Sequence, residues 1–530
     1  MRLLRRVLAI VVAVALVAGL GGFYWLERTY PARTFRALAP EVIEVAAGES
    51  VAVCPSELKL SAEQSGDVSY DPRFDPRPSS VAAATIAVAT GEAASVTGLY
   101  GPTPGEDLAG GGMADALNQG LQLSEGATAT ELEVTDEPWV VQAATGQEAT
   151  SLATGGTAIL TADGDLRGLA AGGCVAPAVE SWLVGGSTEL GSSARLVLVN
   201  PGVSNVTADV ALWDGAGPVA AVGLTGLVVP GGSGRAILLE GIDADAARLA
   251  VHVVAAGGEL AVYLQHSRLN GLTPAGVDLA VPGAAPATTV TVAGLDVTAS
   301  SFDAARASAL RVFNPSAEPA EVTVALWGPD GTVSLPGLDA ATVGAGQVSD
   351  LSLAGLAEGS YVAQVSSSQP VVVAGLSLRQ GPAPATEAVG QYAVEDFGWA
   401  AGGAVSGDVY LAWPQLGANQ VTGKLVLGAA VDLQVTVSLV GARITLGELA
   451  VDLPAGQSVV VDPEALAGEL WTVSSDQPLA VEIKVPAGAR IGAALVLLGD
   501  PDAADGQTIA VLTPTGQAAG RSQIAVRPAR

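Results

Sequence analysis

Histidine, cysteine, lysine and aromatic residues are all scarce in this chain. The two histidines in 530 residues, His252 and His266, lie in no HExxH, Gly-x-Ser-x-Gly or Cys/His arrangement, so the familiar zinc-protease, serine-hydrolase and thiol-protease motifs are missing. The two cysteines, Cys54 and Cys174, have no zinc-ligand spacing and no neighbouring histidine. Basic residues number 24 against 53 acidic ones, a net charge of −29. Such a chain repels a phosphate backbone, so nucleic acid is excluded as a partner. Carboxylates are too abundant for any pair to stand out as a glycosidase acid and nucleophile. The stretch Asp500–Gly506 has the composition of a calcium loop, but EF-hand spacing fails at the third ligand and Val511 holds the twelfth position. No catalytic residue, no metal ligand and no cofactor is therefore assigned.

Only 15% of the residues are charged and 4% aromatic, while 49% are hydrophobic and 66 are glycine. Packed cores are affordable in area, wholesale disorder is excluded, and small and β-branched residues between frequent turns predict a mainly β chain. One long uncharged run exists, Val7 to Leu26, preceded by Arg2, Arg5 and Arg6 and closed by Phe23, Tyr24 and Trp25. Twenty apolar residues suffice to cross a bilayer, and the arginines mark the cytoplasmic side. This predicts a basic cytoplasmic tail over 1–6, a transmembrane signal anchor over 7–26, and a single-pass plasma-membrane protein with its C-terminal bulk extracellular. The competing reading is a cleaved signal peptide, for which Val17-Ala18-Gly19 is a poor site. Either way the cysteines are exported, and an isolated even pair in an oxidising compartment predicts a Cys54–Cys174 disulfide.

Repeats organise the rest. RLVLVNP (Arg195–Pro201) is followed by TADVALW, and LRVFNP (Leu310–Pro315) by EVTVALW, so that Asn200 and Trp213 recur as Asn314 and Trp327, each shifted by 114. A degraded third copy has Gly428 for the asparagine and Val440 for the tryptophan. Each copy is predicted to end in a hairpin, LAVHVVAAGGELAVYL, YVAQVSSSQPVVVAGL and LWTVSSDQPLAVEIKV. If the Gly257-Gly258 turn closes the first hairpin, His252 faces Tyr263 and His266 faces Leu249, and the imidazoles point to opposite sides. Period-2 runs with turn residues every 8 to 12 positions predict tandem antiparallel β-sandwich modules of immunoglobulin-like architecture at 178–290, 291–404 and 405–490. A propeller would need a repeat at half the period, and none is seen. An irregular β domain is expected over 41–175, including an exposed Asp71–Pro78 loop, and a partly disordered C-terminal segment over 491–530. Trp213 and Trp327 read as plugs at the ends of their sandwiches.

The Cys-Pro at Cys54, the Gly-Gly-Cys-x-x-Pro at Gly172–Pro177, SWLVGG at Ser181–Gly186, and LVLVNP with ALW at Ala211–Trp213 together resemble an uncharacterised actinobacterial domain-of-unknown-function family. That resemblance covers most of residues 50–490 and implies lineage and location, not an activity. Three lysines beside 21 arginines fit GC-rich coding. Two function classes follow: a non-catalytic, membrane-anchored cell-envelope scaffold that binds or spaces an envelope protein, or a glycan-binding or glycan-processing protein outside the cell.

Overall fold

In the computed structural model, the described residues are 2–29, 41–45, 50–60, 80–90, 93–98, 126–132, 134–144, 152–302, 304, 306–381, 392–416, 421–441, 445–468, 478–499, 508–515 and 522–526. The Asp71–Pro78 loop, Trp471 and Asp500–Gly506 lie outside them. Two compact units result, residues 1–45 with 522–530, and residues 46–521.

The first unit holds the N-terminal helix Arg2–Thr29 and an antiparallel ribbon in which Glu41–Val45 pairs with Ser522–Val526, Ile43 opposite Ile524. The expected first-domain strand at residue 41 therefore belongs with the C-terminus instead. Its partner falls within the tail expected to be partly disordered. Where a membrane-spanning helix is predicted over Val7–Leu26, the helix is present. Among the described residues, however, no helix is long and apolar enough to cross a membrane.

The second unit is mainly β, built of antiparallel sheets. Module 1 shows the plan. Its eight strands, in chain order, are Glu180–Val184, Ser192–Asn200, Val206–Trp213, Leu227–Val229, Ser233–Leu238, Ala250–Ala256, Ala261–Asn270 and Thr273–Ala280. One sheet carries them in the order 4-3-6-1 and the other in the order 5-2-7-8. The alternation of Val206, Ala208, Val210 and Leu212 with Thr207, Asp209 and Ala211 gives the third strand one buried and one outward face, and the buried face packs on Leu196 and Leu198 of the opposite sheet. In the immunoglobulin arrangement the first two strands share a sheet. Here they lie in opposite sheets, so the sandwich holds and the immunoglobulin pairing does not.

The same plan recurs. Module 3 repeats it with Asp408–Trp413, Val421–Ala429, Leu433–Val440, Thr445–Leu453, Ser458–Val461, Leu479–Lys484, Ile491–Gly499 and Ile509–Leu512. The segment from 491 is thus the seventh and eighth strands of module 3 rather than a tail, and the module runs to Leu512. In module 2 (287–401) the sixth and seventh strands form one 22-residue strand, Gly359–Gln380, whose first half pairs in one sheet and second half in the other. The first two predicted hairpins are therefore corners between sheets. The first arm of the third lies outside the described residues, and its second, LAVEIK, is the sixth strand of module 3. The N-terminal unit (50–173) follows the plan too. Its sheets are Ser50–Cys54, Trp139–Ala144 and Ala93–Gly98 (1-6-3), and Gly126–Leu132, Ser80–Thr90, Leu152–Thr161 and Gly168–Gly173 (5-2-7-8). Residues 99–125, between the third and fifth of these strands, lie outside the described residues.

The modules do not stand in an open row. Leu196 and Leu198 face their own core, while Val197 and Val199 on the other side of the same strand pack with Val53, Val140 and Ala170 of the N-terminal unit. Val426, Ala494 and Val496 of module 3 join the core of module 2, and Leu169 and Ala171 of the N-terminal unit join that of module 3. Strands buried on both faces read as continuous apolar runs, which is why LVLV (196–199) does not alternate. The eighth strands, Gly168–Gly173, Thr273–Ala280, Glu395–Ala401 and Ile509–Leu512, each contact the next around a shared centre.

Candidate functional site

The two cysteines are joined as expected. A Cys54–Cys174 disulfide links the first strand of the N-terminal unit to the residue just after its eighth, with Cα atoms 4.0 Å apart. It is fully buried. Gly155 gives it room, since a Cβ there would sit 2.4 Å from Cys174 Sγ.

The repeat landmarks have matching surroundings. Asn200 donates from Nδ2 to the Ser204 and Val229 carbonyls and accepts from the Gly202 amide, while Asn314 donates to the Glu318 and Val343 carbonyls and accepts from the Ser316 amide. The partners stand four, 29 and two residues on in both, so the buried amide ties two loops at one end of each sandwich. A carboxylate lacks the donor. Asn314→Asp and Asn314→Ala are each expected to lower stability by about 2–3 kcal/mol, as measured by guanidinium unfolding. A loss below about 0.5 kcal/mol in both would contradict the role.

Trp213 and Trp327 end equivalent third strands and face the next module. Half-buried Trp213 lies 4.9 Å from the Phe313 ring, and Trp327, 4% exposed, lies over Gly428. A Cβ at Gly428 would come 3.2 Å from the Trp327 ring, so the residue that departs from the repeat makes space for it.

The histidines are separated more completely than a hairpin would place them. His252 lies opposite Trp182 and Ala211, and His266 opposite Ala194 and Asp278, in different sheets. His252 stacks on Trp182 at 3.6 Å and shares a 2.8 Å hydrogen bond with Glu180. His266 is buried; its Nδ1 accepts from the Trp399 indole N–H at 3.2 Å. An indole nitrogen only donates, so the imidazole proton sits on Nε2. Burial, then the charges of Arg268 and Arg311, hold its pKa well below the ordinary value and keep the ring neutral.

Two features escape a reading by motif. The first is a pair of fully buried carboxylates where the eighth strands meet. Asp278 accepts from the Ala171 and Trp399 amides at 3.0 and 2.6 Å. Asp396 accepts from Leu169, Val277 and Ile509 at 2.8, 3.3 and 3.1 Å. The donors belong to all four modules. Each eighth strand is a sheet edge whose outward amides need acceptors, and the carboxylates supply them. Gly276, at φ +106°, permits the approach, since a Cβ there would lie 2.6 Å from Asp396 Oδ1. Desolvation raises the Asp396 pKa to about 7 and lifts that of Asp278 well above the usual carboxylate value. The sequence signal was an acid within an apolar run, Asp278 alone in GVDLAV and Asp396 beside Glu395 in VEDFGWA.

The second is a cleft of about 470 Å³ between modules 1 and 2, lined among others by Arg248, Arg268, Arg306, Arg311, His266 and Asp350. Arg311 grips Asp350 with two hydrogen bonds of 2.8 and 3.0 Å and lies over the Trp399 ring. Arg248 reaches the same carboxylate at 3.2 Å, and Arg306 pairs with Glu395 at 2.6 Å. These arginines come from three stretches of chain, at Arg248, at Arg268 and at Arg306–Arg311, so no single motif announced them.

The arrangement defines a tandem β-sandwich protein whose modules close around a shared polar centre. Over residues 128–464, more than half of the chain, the sequence matches DUF5719, a family of unknown function, and the chain belongs to that family. No curated protein and no solved structure matches it.

Proposed function

We propose that the protein is a non-catalytic component of the cell envelope, held at the plasma membrane by its N-terminal helix, with the body outside the cell as an interaction platform. The observation that carries this reading is the buried Cys54–Cys174 disulfide, because such bonds persist in oxidising compartments. The anchor rests on the uncharged Val7–Leu26 run behind three arginines, and on apolar side chains such as Val11, Leu16 and Leu20 being exposed along the helix. Closure of the modules favours a platform over a spacer, which an open row would serve better. The glycan alternative loses support because Trp213 and Trp327 are engaged between modules and are not free as sugar platforms. The immunoglobulin comparison adds no functional argument. Expression in the native host with a C-terminal tag tests the placement. The account expects the tag to be accessible to external protease and an N-terminus intact through Leu26 in the membrane fraction. A mature N-terminus between Gly19 and Glu27, or a protected tag, would refute it.

A further inference from the structure

In a chain of net charge −29, the cleft between modules 1 and 2 gathers four of the 24 basic residues. Most of that charge is matched: Asp350 answers Arg311 and Arg248, and Glu395 answers Arg306 while also accepting from Asn270 and Gln380. Arg268 is different. Its guanidinium lies over the Phe397 ring at 5.7 Å and makes no ion pair or hydrogen bond with a described residue. Burial, and after it the nearby Arg306, disfavour its charged form and outweigh the opposing charges of Glu395 and Glu189. A partly desolvated cation with carboxylates near it but none in direct contact is costly.

The same Phe397 ring lies 4.7 Å from His266, so the two side chains share one wall. Only 2% of His266 is exposed, and its Nε2 has no hydrogen-bond partner. Because Nδ1 is committed to Trp399, that orphan is an N–H donor. Buried donors are rarely left unmatched. A cation without a direct ion pair and a donor lacking an acceptor thus line the same cleft, beside the apolar Leu376, Leu378 and Trp399.

We propose that this cleft binds a compact oxyanion, a carboxylate or phosphate group, between Arg268 and the His266 Nε2–H, with the attached apolar part of the ligand against Leu376 and Leu378. The occupant supplies the direct ion-pair partner Arg268 lacks and the acceptor His266 lacks. Asp350 and Glu189 in the lining disfavour a highly charged polyanion and favour a single small acidic group. The inference does not depend on where the protein resides.

Having only two histidines makes the test direct. In full-length protein labelled with 15N-histidine, the ring signals are followed during titration with sodium acetate or inorganic phosphate at constant ionic strength, with chloride as control. The His266 signal is expected to move saturably at millimolar anion or below, while that of His252, in the other sheet, stays in place. Arg268→Gln should weaken binding at least tenfold and leave the His252 signal unchanged, which reports that the module remains folded. Arg248→Gln should weaken it less. The better of acetate and phosphate identifies the headgroup. As a second readout, the preferred anion should raise the Tm of the wild type and not of Arg268→Gln. No movement of His266 with either anion, equal movement with chloride, or unaltered affinity in Arg268→Gln would overturn the proposal.

Discussion

Asp396→Ala is expected to destabilise the body by about 4 kcal/mol or more, the largest effect of any single substitution in the centre. Three amides, those of Leu169, Val277 and Ile509, would lose their acceptor, and each orphaned buried donor costs about 1–3 kcal/mol. Asp396→Asn keeps one oxygen but turns an NH2 toward donors, so a smaller loss is expected. The carboxyl also fixes a pH dependence. Its pKa is raised to about 7 by desolvation, above the ordinary value near 4. The folded state therefore holds a proton that the unfolded state has released between these values. The contribution is fully present below about pH 4, declines as pH rises to about 7, and changes no further above that. One pKa unit corresponds to about 1.4 kcal/mol, so the decline is on the order of 4 kcal/mol. Asp278, raised by the same desolvation, adds to it in the same direction. Asp296 opposes it: burial acts to raise its carboxyl, but Lys424 and Arg379 outweigh burial and hold it below the usual value, so that pair weakens in acid. Comparing wild type with Asp396→Asn in chemical unfolding from pH 4 to 8 isolates the Asp396 part. Parallel curves would contradict the assignment.

Reduction of the Cys54–Cys174 bond is expected to have the second large effect. The cysteines are 120 residues apart, and closing so long a loop restricts the unfolded chain by roughly 4–5 kcal/mol on the entropy model. For a body spanning Ala46–Arg521, whose unfolding entropy is about 2.1 cal/mol/K per residue, that corresponds to a Tm lower by about 4–5 °C. The double variant Cys54→Ala, Cys174→Ala should reproduce the shift seen with reductant and then be insensitive to it. Thiol labelling of the denatured, unreduced protein should find no free cysteine. An unchanged Tm under reductant, with both thiols demonstrably free, would show that the apolar packing around the bond suffices without it.

Much of this architecture could be read from residues. TADVALW and EVTVALW alternate because their strands bury one face, and the 114-residue shift of Asn200 and Trp213 marks modules 1 and 2 as copies. Other elements were hidden for physical reasons. The N-terminal unit shares the sandwich plan but ends its second strand in Thr90, with no asparagine clamp, so its kinship lies in pairing alone. Strand order depends on which distant edges pair, and period 2 is blind to that, which is how two sheet-to-sheet corners looked like hairpins. Closure was legible only indirectly, in runs such as LVLV and LVLL (495–498) that do not alternate because both faces are buried. Arg268 and His266 are two residues apart on one strand, but Arg306, Arg311 and Asp350 reach the cleft from other segments.

Amide hydrogen exchange on the full-length protein tests the central claim, that the modules form one body tied at Asp396. Leu169, Val277 and Ile509 lie in three different modules and donate to one carboxylate. The account predicts that their amides exchange with a common free energy, close to that of global unfolding, and that Asp396→Ala removes protection from all three together. Distinct free energies in the wild type, or loss of protection at Val277 alone in the variant, would contradict it.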